Sequence, residues 1–185
     1  MVTLLAMGDF VEELQCVVDG AHYTYHVDIE GNACIARCRC SAECLRIPDA
    51  LMGCPVEAID ERAFCTCSKL RDIVCPCGLK NIGAHAFEGC LRLQTVSLNT
   101  GLRSIGEEAF FLCTSLGEVI VPATVEQIGP QPLNRRTART MSRTNPFELR
   151  FHPDNERLFF DADGVLYERR DDGLVLIDGC RFEGT

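Results

Sequence analysis

A 23-residue period is the feature of this sequence that most constrains its fold. Three segments align without a gap: "VEAIDERAFCTCSKLRDIVCPCG" (56–78), "LKNIGAHAFEGCLRLQTVSLNTG" (79–101) and "LRSIGEEAFFLCTSLGEVIVPAT" (102–124). A fourth unit begins "VEQIGPQPL" (125–133) and then loses the pattern. A unit this short cannot bury its own apolar face, so such units stack and share one core. The period therefore predicts a solenoid.

Apolar residues recur at equivalent positions of the units, and their spacing predicts strands. The columns are Ile59, Ile82, Ile105 and Ile128; Ala63, Ala86 and Ala109; Phe64, Phe87 and Phe110; and Leu70, Leu93 and Leu116. In "LRDIVCP" the period of two directs Ile73 and Cys75 inward and Asp72 and Val74 outward. Stacked strands of this kind form a parallel sheet, and the Ile column predicts a second, shorter extended piece. The segments "GAHAF" and "GEEAF" favour single helical or 3₁₀ turns.

The sequence divides into three parts. Residues 1–55 are predicted to form an N-terminal cap, with a short amphipathic helix within 1–18 and a strand at 23–29. Residues 56–133 contain the repeats, three full and one partial. Residues 134–185 contain a basic loop, "NRRTARTMSRTNP", followed by strands at "FELRF" and "LFF" and a hairpin turn at "DADG". That turn lacks the spacing of a calcium-binding loop.

The repeats resemble a known family. The runs "IGAHAFEGCLRLQTVSL" and "IGEEAFFLCTSLGEVIVP" are similar to the BspA-like class of bacterial leucine-rich repeats, whose units read roughly I-G-x-x-A-F-x-x-C-x-x-L-x-x-V-x-L-P. Upstream, the segments 23–38 and 45–59 resemble the lead-in of that class, and downstream 155–176 resembles its closing hairpin. The fourth unit departs from it, with Pro132-Leu133 in place of Ala-Phe. The resemblance implies an α/β solenoid of leucine-rich repeats with β-hairpin caps. It also implies adhesion or host-protein binding at a bacterial cell surface.

Thirteen cysteines are an unusual number for a chain of 185 residues. Cys67, Cys90 and Cys113 share one column, and this pattern predicts small apolar plugs in the core, as for Cys75. The C-x-C pairs in "CRCSAEC", "CTC" and "CPC" offer thiolates, which bind zinc or iron–sulfur clusters. The usual C-x₂-C spacing is absent, so we expect no metal and no cofactor. A cysteine-rich zinc protein is the alternative, with Cys38, Cys40 and Cys44 as its first ligands.

Several other functions are disfavoured by the sequence. A net charge of −9 opposes binding to nucleic acid or anionic lipid, and no apolar run is long enough to span a membrane. His22, His26, His85 and His152 are not placed beside a cysteine by any motif, so we expect no catalytic residues and no enzyme. The N-terminus lacks a basic region, which predicts no signal peptide and a cytoplasmic chain, whereas the resemblance implies a surface or secreted one. Localisation stays open on these grounds.

The best-supported function is a non-enzymatic module for protein–protein interaction, of the adhesion or scaffold type. Its surface would be the outward side chains of the long strands, which a solenoid presents in rows. The predicted partner-binding residues are Arg71, Asp72, Val74, Gln94, Thr95, Ser97, Glu118 and Ile120. The sequence does not identify the partner protein, and the ends of the solenoid offer a route to a homodimer.

Overall fold

The computed structural model describes residues 12–65, 67–130, 148–161 and 165–178, which contain sixteen β-strands and no helix. The strands are β1 (Leu14–Val18), β2 (Ala21–Val27), β3 (Ala33–Arg39), β4 (Cys44–Arg46), β5 (Ala50–Leu51), β6 (Cys54–Ile59), β7 (Asp72–Val74), β8 (Asn81–Ile82), β9 (Thr95–Ser97), β10 (Ser104–Ile105), β11 (Glu118–Val121), β12 (Gln127–Ile128), β13 (Glu148–Phe151), β14 (Leu158–Phe160), β15 (Leu166–Arg170) and β16 (Gly173–Asp178). Within these ranges, no helix is long and apolar enough to cross a membrane.

The largest sheet has eight strands and carries the isoleucine column. Its order is β1-β2-β3-β6-β8-β10-β12, with β5 paired to β6. The first three strands are antiparallel, and from β3 onward the neighbours in this order are parallel. Ile35 pairs with Ile59, which extends the column one strand upstream of the predicted repeats. All five isoleucines of the column are buried.

The second row of parallel strands runs along another side of the solenoid. Strands β4, β7 and β9 form one sheet, and β11 and β13 form another. The Gly117 amide donates to the Gln94 carbonyl at 3.1 Å and joins the two. One strand from each row makes a layer, so β3/β4, β6/β7, β8/β9, β10/β11 and β12/β13 are layers one to five.

The fourth unit of the sequence is completed after a longer connection. Glu118 pairs with Glu148, thirty residues later, whereas Thr95 pairs with Asp72 at the regular spacing. Strand β13 therefore resumes the repeat after the sequence pattern has been lost. Residues 131–147, with the basic cluster of Arg135, Arg136, Arg139 and Arg143, lie outside the described residues.

The corners between the two rows are hydrogen-bonded turns. Cys65 N donates to Arg62 O and Cys67 N to Phe64 O, both at 3.1 Å, which is the i→i+3 pattern of a 3₁₀ turn. The turns do not continue as helix because Arg62, His85 and Glu108 have positive φ, between 48° and 57°. Phe64, Phe87 and Phe110 stack inside the corners with ring centroids 5.1 and 5.3 Å apart.

A glycine column sets how closely the layers approach. A Cβ on Gly83, Gly106 or Gly129 would lie 2.6, 2.4 or 2.2 Å from a backbone nitrogen of the preceding layer. Only glycine fits such a contact. In layer two this position is Asp60, whose side chain instead reaches β2 and β3.

The helix predicted within residues 1–18 is wrong where the structure describes it. Residues Leu14–Val18 form strand β1, and their exposure alternates with a period of two. The cause is the Asp19-Gly20 turn, where both residues have positive φ, 49° and 77°. Such a pair forms the two-residue hairpin that joins β1 to β2. Residues 1–11 lie outside the described residues.

Two predicted strands in the flanks are confirmed. Residues 23–29 fall largely in β2, and "LFF" forms β14, which pairs antiparallel with β15. Asp161 N donates to Val165 O at 3.0 Å and closes the hairpin. The tip at 162–164, within the predicted "DADG" turn, lies outside the described residues.

Candidate functional site

The strand face is formed by the outward side chains of β4, β7, β9, β11 and β13, with the residues that precede them. Ile73, Val96 and Val119 point into the core, as predicted from the period of two. The eight predicted binding residues all lie on this face: Gln94, Thr95, Ser97, Glu118 and Ile120 are exposed, and Arg71, Asp72 and Val74 are half-buried. The structure thus brings the whole predicted set onto one surface.

The strand register arranges these side chains in two columns. In the first column Cys44 pairs with Asp72 and Asp72 with Thr95. Glu118 continues this column in the next layer. The second column contains Arg46, Val74, Ser97, Ile120 and Arg150. Sequence reasoning missed Arg46 and Arg150 because β4 and β13 lie outside the ungapped repeats.

Polar contacts hold part of the strand face in place. The Thr95 hydroxyl and the Cys44 thiol donate to the two carboxylate oxygens of Asp72, the thiol at 3.2 Å. These hydrogen bonds, the one from Thr95 first, lower the pKa of Asp72. Arg150 Nε lies 3.0 Å from Glu118 Oε1. Side chains already restrained in this way lose less conformational entropy when a partner binds.

The repeated cysteines occupy the inside of the corners, which confirms the prediction that they are core plugs. Cys90 and Cys113 donate their thiols to the carbonyls of Phe64 and Phe87, each at 3.2 Å. Burial raises the pKa of Cys113 to about 12 and also raises the pKa of Cys75. A thiol with a raised pKa is a poor nucleophile. Cys75, Cys90 and Cys113 therefore serve packing rather than chemistry.

The first repeated cysteine, Cys67, meets two further thiols, Cys38 and Cys40, in what we call the thiol cluster. Their Sγ atoms all lie within 4.8 Å of one another. Cys38 and Cys67 are buried, and Cys40 is half-buried. The neighbouring Cys38 and Cys67 thiols, and after them the Ala42 amide, lower the pKa of Cys40, whereas the interaction with Cys40 raises the pKa of Cys38.

Of the predicted set of possible metal ligands, Cys38, Cys40 and Cys44, the structure brings the first two together but not the third. Cys44 is exposed on the strand face and donates to Asp72. It points away because it begins β4, where the side chain one residue on, Leu45, takes the inward position. Cys67, which the repeat register assigned to the core alone, replaces it.

A second group joins a histidine, a cysteine and a carboxylate that the sequence did not connect. Cys34 Sγ donates to Asp60 Oδ1 at 2.8 Å, and His26 Nδ1 lies 3.5 Å from Asp60 Oδ2. The carboxylate sits between the thiol and the imidazole, whereas nucleophile activation needs the histidine in the middle. Burial and the carboxylate raise the pKa of Cys34. This arrangement does not generate a thiolate nucleophile.

Comparison with known proteins identifies the repeats. The profile of the BspA type leucine rich repeat region matches residues 33–142 in six copies. Its match begins at residue 33, in strand β3, so the repeat region extends upstream of residue 56, where the first full repeat was predicted to start. No curated protein sequence matches the chain.

Solved structures of bacterial leucine-rich repeat proteins share the fold. One from Bacteroides capillosus is 26% identical with a TM-score of 0.61, and the match covers 75% of this chain and 98% of that one. The T. pallidum leucine-rich repeat protein is 26% identical with a TM-score of 0.54, and the match covers 60% of this chain. This chain spans 64% of the T. pallidum protein. One from Bacteroides ovatus is 23% identical with a TM-score of 0.52, over 63% of this chain and 38% of that one. The 23-residue layers, the core columns and the profile match together place this chain in the BspA-type leucine-rich repeat family.

Proposed function

We propose that this chain is a non-enzymatic protein-interaction module and that its strand face is the binding surface. The observation that carries the proposal is the second column of the face. There Val74, which is half-buried, and Ile120, which is 54% exposed, lie on either side of Ser97 and between two exposed arginines, Arg46 and Arg150. Arginine is enriched at protein–protein interfaces, and Ile120 adds exposed apolar surface beside Arg150.

The dimensions of this column indicate the kind of partner segment that it fits. Arg46 and Arg150 stand four layers apart, which is about 19 Å at the usual strand spacing. An extended segment of roughly six residues covers that length, at about 3.3 Å per residue. Carboxylates near the ends of such a segment would meet the two arginines, and an apolar side chain beside the end that meets Arg150 would cover Ile120. A partner with this pattern is the best match in charge and hydrophobicity.

Family membership supports the same proposal at a coarser level, because leucine-rich repeats present extended binding surfaces. Whether the module serves adhesion at a cell surface or acts as a scaffold inside the cell is a finer distinction. We favour adhesion, as the BspA-type repeat implies. Fractionation of the source cells and labelling of intact cells with an antibody against the chain test this choice.

The binding role is tested by site-specific crosslinking in the source cells. A photoactivatable residue at Ser97, in the middle of the strand face, should give a discrete adduct with a partner. The same residue at Gln127, which is exposed on the outer side of the eight-stranded sheet, should not. Excess unlabelled wild-type chain should compete the adduct away, and the Ile120→Glu variant should not. Equal crosslinking from both positions, or equal competition by the variant, would contradict the proposal.

Self-association through an end of the solenoid is a separate proposal. Strand β1 is the terminal strand of the eight-stranded sheet, and Val17 on it is 58% exposed. An edge strand of this kind can pair with a second copy. Light scattering should then report a dimer that Val17→Lys dissociates; a monomer at all concentrations would argue against it.

A further inference from the structure

The thiol cluster arises because a cysteine stands where the repeat places a phenylalanine. In layers two and three, Phe64 N donates to Ala86 O and Phe87 N to Ala109 O, both at 2.8 Å. In layer one, Cys38 N makes the same bond to Ala63 O at 2.7 Å. Cys38 thus begins the column that Phe64 and Phe87 continue. Its thiol lies where the other layers have a ring.

Cys40 and Cys67 provide the other two sulfurs from successive corners. Cys67 is the first repeated cysteine, and its thiol approaches the Cys38 carbonyl at 3.5 Å. Cys40 follows Cys38 by two residues, while Cys67 follows Phe64 by three. In layers three and four the equivalent corner contains one cysteine, Cys90 or Cys113. A plug therefore explains one of these three thiols but not the convergence of all three.

The separation of the sulfurs is close to that of a metal-bound set. Zinc–sulfur bonds are about 2.3 Å, so two thiolates on one ion are roughly 3.8–4.0 Å apart in tetrahedral or trigonal geometry. The three Sγ atoms already lie within 4.8 Å of one another. Side-chain adjustments of less than about 1 Å would bring them into coordination, a change within one rotamer well.

The surroundings favour binding of an ion from solvent. The backbones of Cys38 and Cys67 are held by hydrogen bonds to Ala63 O and Phe64 O, so two ligands are preoriented. Cys40 is half-buried and gives the ion a path from the surface. Thiolates select soft and borderline ions, of which Cu⁺ accepts three sulfurs and Zn²⁺ adds a water as fourth ligand.

We propose that Cys38, Cys40 and Cys67 bind one thiophilic metal ion, Zn²⁺ or Cu⁺, and thereby join layer one to layer two. The coordinated thiols release their protons to solvent as the ion binds. The site is independent of the strand face. Its effect is to stabilise the start of the solenoid, since an ion that binds only the folded chain raises its stability.

The test uses the full chain, reduced and kept free of oxygen. Co²⁺ serves as the coloured probe for the zinc arm, and Cu⁺ is titrated against a chromophoric chelator. We expect saturation at one equivalent per chain, with a thiolate-to-cobalt charge-transfer band that Zn²⁺ displaces. If only Cu⁺ saturates at one equivalent, the ion is Cu⁺. Each of Cys38→Ser, Cys40→Ser and Cys67→Ser should weaken binding by at least about tenfold, the scale seen even for outer-shell losses.

Cys90→Ser is the matched control for Cys67→Ser. Cys90 lies in the same column as Cys67, one layer above, and its thiol also contacts a backbone carbonyl. Cys90→Ser should bind like wild type. Circular dichroism checks that each variant folds. If Cys38→Ser or Cys67→Ser does not fold, Cys40→Ser, at the half-buried position, still tests the site. The metal should raise the Tm of wild type and not that of Cys40→Ser.

Three results would overturn the proposal. The first is that neither ion saturates at one equivalent in the reduced wild-type chain. The second is that Cys90→Ser loses as much affinity as Cys67→Ser, which would indicate nonspecific binding to thiols. The third is that Cys34→Ser abolishes the band while Cys38→Ser retains it, which would assign the ion to the group of His26, Cys34 and Asp60.

Discussion

Replacing Gly106 with alanine tests how closely the layers are packed. The new Cβ would lie 2.4 Å from Ala84 N and 2.5 Å from Gly83 C. Both atoms belong to the backbone, so no side-chain rotation relieves the contact, and the layers would have to separate by about 1 Å to reach ordinary carbon contact distances. The bond from Gly106 N to Ile82 O, now 2.8 Å, would then lengthen beyond hydrogen-bonding range.

The expected loss follows from these two effects. Overpacking of a close-packed interior costs about 1–3 kcal/mol. A lost backbone hydrogen bond adds about 1 kcal/mol. The reduced freedom of the unfolded chain offsets roughly 0.4–1 kcal/mol of this. We expect Gly106→Ala to lower the free energy of unfolding by about 1–3.6 kcal/mol. Urea denaturation of the reduced chain, followed by far-ultraviolet circular dichroism, measures it.

Gly117→Ala is the matched control in the same layer. Its Cβ would meet Gln94 O at 3.6 Å, an ordinary contact, and its φ lies outside the left-handed region. We expect it to leave the free energy of unfolding unchanged or to raise it by up to about 1 kcal/mol. The explanation by close approach fails if Gly106→Ala lies within about 0.5 kcal/mol of wild type, or if both variants lose the same stability.

Three further predictions concern the core, a corner and the C-terminal sheet. Phe87→Ala should cost about 4 kcal/mol in urea denaturation, because its ring is fully buried between two others; a cost below about 1 kcal/mol would contradict a continuous stack. His85 has φ 54°, so His85→Val should be about 1–2 kcal/mol less stable than His85→Asn, which also lacks the imidazole but tolerates this conformation; equal stabilities would refute the argument. Arg170 and Arg157 hydrogen-bond the buried Glu168 carboxylate and lower its pKa. The ionised Glu168 therefore contributes to stability above the unfolded pKa of about 4.3, and this contribution is lost as the pH falls through the lower pKa of the folded state. Glu168→Gln should therefore be less stable than wild type at pH 7, by urea denaturation, with the difference shrinking below about pH 4; a difference that does not depend on pH would contradict it.

The sequence by itself determined the repeated part of the fold. Ile59, Phe87 and Val96 could be assigned to the core because each recurs at one spacing, and a residue that recurs in stacked units meets its own equivalents in space. The same period placed Thr95 and Ile120 on the outer face. The hairpin turn was harder to predict. The Asp19-Gly20 pair is present in the sequence, but the apolar residues before it favoured a helix.

The irregular layers were decided only by the tertiary structure. Layer one keeps the hydrogen bonds of the repeat, but its corner is one residue shorter: one residue separates Cys38 from Cys40, whereas two separate Phe64 from Cys67. The thiols of layer one could therefore not be aligned with the repeat from the sequence. Layer five resumes at β13 after a longer connection, which brought Arg150 onto the strand face. In both cases the pairing of strands across long sequence separations sets the register, and a period measured along the chain does not contain that information.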